Sequence, residues 1–202
     1  MISFSELNII GLTGMSGAGK STVAGAFSEN NFFVIDCDSE AKRVIANPPC
    51  SQAVIEAFPE AFDSSGEFNR IKMGRLVFSN QENLLRYERI VFPFIIYSVI
   101  QTIFQLAEKG EKNFLLDAPT LYQSGADDLC GKVIAVTAAR ELCVFRITER
   151  DGISEDDALK RLNAQPDPDF YKKRADRFIV NNHTEAELIK NTKEIITEMK
   201  WQ

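Results

Sequence analysis

The 202-residue chain has one histidine and four cysteines, with no C-x-x-C pair among them. Cys37, Cys50, Cys130, Cys143 and His183 are too few and too scattered for a disulfide framework or a structural zinc site, so a reduced cytoplasm is the expected compartment. Net positive charge is lacking as well. A net charge of -6 gives no chain-wide grip on nucleic acid or anionic membrane, and any phosphate site has to be local. The start, "MISFSELNII", sets no basic flank before its apolar residues, so no cleaved signal peptide is expected. One long uncharged run occurs, "IVFPFIIYSVIQTIFQLA" at 90–107. Its Ser98, Gln101, Thr102 and Gln105, followed by Glu108 and Lys109, recur at helical steps and draw a polar stripe that argues against a membrane span. Asn-Lys-x-Asp, the guanine-reading signature, is absent, and "LLDAP" offers the single acid Asp117 where a motor ATPase would close a strand with an acidic pair.

Against these absences stands "GMSGAGKS" at 14–21: Gly14, four residues, then Gly19, Lys20 and Ser21, directly after the apolar run "LNIIGLT". That is the complete phosphate-binding loop pattern in its strand-then-helix setting. Gly14, Gly17 and Gly19 let the backbone curl so that N–H groups turn inward, with Ala18 between them, and the helix beginning near Lys20 adds its positive end. Lys20 reaches the outer phosphates, the Ser21 hydroxyl suits a bridging Mg²⁺, and Thr22 follows in the same turn.

Short β-rich runs at 7–13, 32–36, 113–118, 132–137 and 177–181 alternate with helical stretches, which reads as a parallel α/β sheet of about five strands in a three-layer sandwich. The rhythm breaks once, between the second and third runs. Core segments 1–48, 110–145 and 175–202 are therefore expected, with a helical insert at 49–109 and a charged flap or lid at 146–174. The insert carries a turn at "DSSGE" (63–67), a helix near 70–79 and a long helix from about 81 with Pro93 inside it. Ser154 with Asp157, and Thr184 with Glu187, mark helix starts; His183 reads as an exposed residue beside the second of these.

Asp36 and Asp38 end the second run in "VIDCDSEAKRV", and period two puts both on one face while the chain is extended. Strand ends hold the sites of α/β sheets, and a hydroxyl acceptor needs a carboxylate to orient it and take its proton. Asp38 is the candidate, with a plain helix-capping role as the alternative. Arg146 and Arg150, four apart on a helix, share a face and can bring two guanidiniums to a transferring phosphoryl group, or else pair with Glu149 and Asp151.

With "GLTGMSGAGKSTVAGAF", "VIDCDSEAKRV", "GEFNRIKMGRLVF", "FRITERDGISEDDALKRLNAQ" and "ADRFIVNN" in this order, the chain resembles the dephospho-CoA kinase family over nearly its whole length. The resemblance implies a P-loop nucleotide-kinase fold with ATP on the loop (Gly14, Gly17, Ala18, Gly19, Lys20, Ser21, Thr22), Mg²⁺ on Ser21, and the 3′-hydroxyl of dephospho-CoA as acceptor. It implies Asp38 as general base, Lys20, Arg146 and Arg150 at the phosphates, Asn181 at the adenine edge, and Arg70, Pro119 and Leu121 on the acceptor side with the insert. The family usually reads His-Pro where this chain has Phe92-Pro93, and ends a Pro-Leu-Leu-Phe-Glu stretch with an acid where it has Gln123. Two further readings stay open on the residues: a kinase of the same fold with another small hydroxyl acceptor, or a nucleotide-binding regulator that transfers nothing. A monomer without nucleic-acid or membrane partners is expected.

Overall fold

Runs of β-branched and large apolar residues with no polar alternation can be stable only where both faces are covered. That condition is met in the computed structural model, which describes residues 3–62, 67, 69–77 and 79–199, without the side chains of Ser5 and Arg70. Five strands, β1 (Asn8–Gly14), β2 (Phe33–Asp36), β3 (Asn113–Asp117), β4 (Lys132–Thr137) and β5 (Arg177–Val180), form one sheet in the order β2-β3-β1-β4-β5. Every pairing is parallel, with Leu12 beside Asp117 on one side and Ile134 on the other. The predicted strands and the α/β class agree with this sheet.

The chain divides into two compact units, 1–36 with 106–202, and 37–105. In the first, helix α1 (Lys20–Ser28) follows β1; the others named here are α6 (Leu121–Ser124), α7 (Arg140–Asp151), α8 (Glu155–Asn163), α9 (Pro168–Arg174) and α10 (Glu185–Met199). Leu12, Phe27, Leu115, Ile134 and Ile147 are wholly buried in its core, together with Ala158, Leu162 and Tyr171 from the segment read as a lid. Burying each large apolar side chain contributes about 1.5–3 kcal/mol. Ser154 accepts the Asp157 N–H and Thr184 the Glu187 N–H, so both expected caps form. His183 is exposed.

The second unit holds α2 (Cys37–Ala46), α3 (Cys50–Ala57), α4 (Arg70–Val77) and most of α5 (Gln81–Ala107). Its core joins Cys50, Val54, Phe58, Ala61, Met73, Val77 and Val91. Val44 and Ile45 of α2 pack on that cluster, which is why 37–48, grouped with the core in the sequence reading, cluster with the insert. The turn expected at 63–67 lies mostly outside the described residues. α5 runs through Pro93, and by length and composition it is long and apolar enough to cross a membrane.

Candidate active site

All five strands are parallel, so their C-terminal ends share one edge, where α/β folds keep their sites. Gly14 closes β1 at that edge. Three glycines of the loop after it have positive φ: 134° at Gly14, 74° at Gly17 and 102° at Gly19. At Gly14 a Cβ would stand 2.0 Å from the Val136 carbonyl oxygen, and at Gly17 it would stand 2.7 Å from that of Cys143. Neither position admits a side chain without moving backbone.

Groups from distant segments hold the loop's backbone. Lys20 Nζ donates to the carbonyls of Gly14 (3.0 Å) and Met15 (3.1 Å). Arg146 Nη1 donates to Gly17 O (3.3 Å) and Asn181 O (3.2 Å), and Asn181 Nδ2 donates to Ala18 O (2.8 Å). Ser16 N–H donates to Gln165 Oε1 (2.8 Å). Met15 and Ala18 N–H find backbone carbonyls. The N–H groups of Gly17, Gly19 and Ser21 meet no acceptor among the described residues. Gly19 caps α1 without a side-chain bond, so this helix start presents uncapped donors and a positive dipole end to an anion. A polyphosphate fits such a cradle.

Ser21 is exposed on the first turn of α1, and the Thr22 hydroxyl donates to Glu185 (3.4 Å). No group of three His, Cys, Asp or Glu side chains able to hold a metal occurs among the described residues. The Ser21 hydroxyl at the helix start suits a divalent ion that also takes oxygens of a bound nucleotide.

The other candidates divide. Arg146 and Asn181, expected at the phosphates and the adenine edge, both lie against the loop, and Asn181 is buried at 7% exposure. Arg150 is exposed and binds Asp151 through Nε (2.7 Å) and Nη2 (2.9 Å), the ion-paired alternative read from its spacing. Arg161 binds the same carboxylate, and the two guanidiniums hold Asp151 well below the usual carboxylate range.

Asp38 is exposed, but its shared face with Asp36 is not realised. β2 stops at Asp36 and α2 begins at Cys37, so the period of two ends where the helix starts, and Asp38 sits in the first helical turn. The Pro119 carbonyl accepts from the Thr13 hydroxyl (3.3 Å). Leu121 has no exposed surface, and its side chain closes on Gly11, where a Cβ would meet Leu121 Cδ2 at 2.7 Å. It belongs to the core, not to a substrate surface. Arg70 opens α4; its side chain lies outside the described residues. Phe92 is half-buried and Gln123 exposed.

Burial, with Asp127 adding to it, pushes the Tyr122 hydroxyl and the Cys130 thiol each up to about 12, and burial also raises the Cys143 thiol. All three stay protonated at neutral pH. Gln165 stood in the sequence without an assigned role. It entered only as the last residue of the block "FRITERDGISEDDALKRLNAQ".

The parallel sheet, the glycine loop and the lysine and serine at the helix start define a P-loop phosphotransferase. A family model described as dephospho-CoA kinase matches residues 8–187. A dephospho-CoA kinase of Bacillus licheniformis is 38% identical over 186 residues, 89% of this chain and 92% of its own. Among solved structures, a Thermus thermophilus protein superposes with a TM-score of 0.80 at 30% identity, covering 96% of this chain and 98% of that one. Dephospho-CoA kinase from Campylobacter jejuni does so at 0.57 and 25%, with the same coverage. The chain belongs to the dephospho-CoA kinase family.

Proposed function

We propose that this chain transfers the γ-phosphoryl group of ATP to the 3′-hydroxyl of dephospho-CoA, releasing coenzyme A and ADP. The observation that carries the reading is the loop: its free N–H groups, Lys20 and Ser21 stand together at an uncapped helix start in a chain of this family. Phosphoryl transfer asks a protein mainly for positioning and charge neutralisation. Lys20 would leave the loop carbonyls for the outer phosphates, and the Ser21 hydroxyl would help hold a Mg²⁺, which would supply neutralisation of the phosphate charge. Asp38 orients the acceptor hydroxyl and takes its proton as the new O–P bond forms and the bond to ADP breaks.

Of the two arginines, Arg146 is the stronger candidate for stabilising the transferring group. Among the described residues only its Nη1 is engaged, on Gly17 and Asn181, so its other donors can serve a phosphate. Asn181 supports this role from behind, through Ala18. The helical unit 37–105 is assigned to the acceptor, with Phe92 standing where the family carries histidine. The four free thiols support a reducing compartment such as the cytoplasm, and a monomer accounts for the chemistry without a second chain.

The test is ADP release from Mg²⁺ and ATP with and without dephospho-CoA, with the product weighed. Release that requires dephospho-CoA and a product heavier by one phosphate is expected. ATP binding with no stimulation by dephospho-CoA would overturn the acceptor assignment and leave the loop's role standing.

A further inference from the structure

Among the described residues, segment 146–174 makes hydrogen bonds to the phosphate loop through Arg146 and Gln165, and the second has no part in the scheme above. Gln165 lies just beyond α8, where its own N–H closes on Leu162 O (3.1 Å) and Pro166 ends the helix. Leu162 before it and Tyr171 after it are buried in the main core, so the side chain leaves a fixed platform. It reaches a residue 149 positions earlier in the chain and accepts the Ser16 N–H.

That bond singles Ser16 out. Met15 and Ala18 N–H are held by backbone carbonyls, while Gly17, Gly19 and Ser21 N–H are the donors an anion would meet. Ser16 N–H alone among these is held by a side chain. Its direction fixes the Met15–Ser16 peptide plane, from which the backbone turns through Ser16 to the Gly17 donor. The chemistry of the partner matters too. A glutamine accepts the bond without charge, whereas a glutamate of equal length would accept it and set a negative charge beside gathered phosphates. A methionine of similar length offers only a weak thioether acceptor in its place.

We propose that Gln165 is a positioning residue for the nucleotide: it fixes the loop through Ser16 and couples α8 and α9 to the state of the phosphate site. It touches no reacting atom. The proposal rests on the loop binding ATP and not on the identity of the acceptor.

The test is the dissociation constant of Mg²⁺ and ATP, measured by calorimetry without acceptor on the full chain and on Gln165→Met and Gln165→Glu, with melting temperatures alongside. Gln165→Met should bind ATP about tenfold more weakly, the scale of one hydrogen bond, and melt close to the parent. Gln165→Glu should also melt close to the parent, yet its loss of ATP affinity relative to the parent should grow with pH across about pH 5 to 8, as a carboxylate near phosphates gives up its proton. ATP affinity within about twofold of the parent in Gln165→Met would overturn the proposal. So would a pH-independent loss in Gln165→Glu, or losses that merely track lowered melting temperature. Absence of any acceptor activity in the parent would touch the proposed reaction alone.

Discussion

The phosphate loop and the helical unit 37–105 are held by opposite means. Around the loop, side chains from α1, α7, the α8 end and the β5 end each take backbone groups of residues 14–18, and Cβ-sized space is missing at Gly14 and Gly17. The core of the helical unit, among the described residues, includes Cys50, Val54, Phe58 and Met73, rimmed by half-buried Leu84, Tyr87, Ile90 and Phe94. Its polar ties include short-range ones such as Arg43 with Glu40 on a single helix. A site that must aim several donors at one polyphosphate needs backbone held from many directions, whereas a small apolar cluster tolerates repacking. The loop should therefore be brittle and specific, and the helical unit softer and more forgiving.

The sharpest break in that comparison is chemical. Lys20→Ala should cut phosphoryl transfer by about a hundredfold to a thousandfold, and Asp38→Asn by a similar order. Asp38→Asn should keep the parent's ATP affinity and Lys20→Ala should not. Calorimetry with single-turnover rates reads both, and an Asp38→Asn enzyme at full rate would remove Asp38 from the chemistry.

Steric effects come next. Gly14→Ala puts a methyl on the Val136 backbone at a φ of 134°, and should cost about 3 kcal/mol or more along with ATP binding. Phe58→Ala empties the centre of the helical core, where Tyr87 meets Phe58 edge-on and Arg86 lies over its ring. A loss of about 3–5 kcal/mol is expected, concentrated in faster amide exchange within 37–105, with ATP affinity close to the parent's. Equal exchange rates in both units would contradict the softer-unit reading. Gly74→Ala tests the same contrast in the other direction. Gly74 lies inside α4 with nothing within 4 Å of a Cβ, so alanine should stabilise by about 0.5–1 kcal/mol, whereas the same change at Gly14 is ruinous.

The smallest effect concerns pH. Asp151 has a folded-state pKa lowered by Arg150 and then Arg161, so its contribution is present above its ordinary value of 3.8 and is lost as pH falls through the lowered one. Asp151→Asn should lower the melting temperature slightly near neutrality, less in high salt, and the gap to the parent should close in acid. A gap that does not vary with pH would show that the pair contributes nothing through charge.

Much of this was legible in advance, for identifiable reasons. Strand runs 132–137 and 113–118 are continuous apolar stretches, a local signal that needs no partner to be recognised. The loop's Gly, Lys and Ser are set by the conformations and charges a phosphate demands within eight residues. Other readings failed where a neighbour decides. Leu121 looked like a substrate contact and is sealed against Gly11, because β1 lacks a side chain there and something must fill the space. The paired face of Asp36 and Asp38 required one more extended residue than the chain supplies before α2 begins.

The sequence by itself determined the parallel α/β class, the phosphate loop and the helical character of the insert, since periodicity, glycine conformations and capping residues act over a few neighbouring residues. Only the tertiary structure decided which groups hold that loop. The sheet order β2-β3-β1-β4-β5 sets β4 next to β1 and β5 next to β4, and parallel strands bring their C-terminal ends to one edge. Arg146, Gln165 and Asn181, more than a hundred residues away in the chain, thereby become the loop's hydrogen-bond partners. No local pattern encodes such a partnership, because a hydrogen bond depends on where two groups meet and not on the spacing that separates them in the chain.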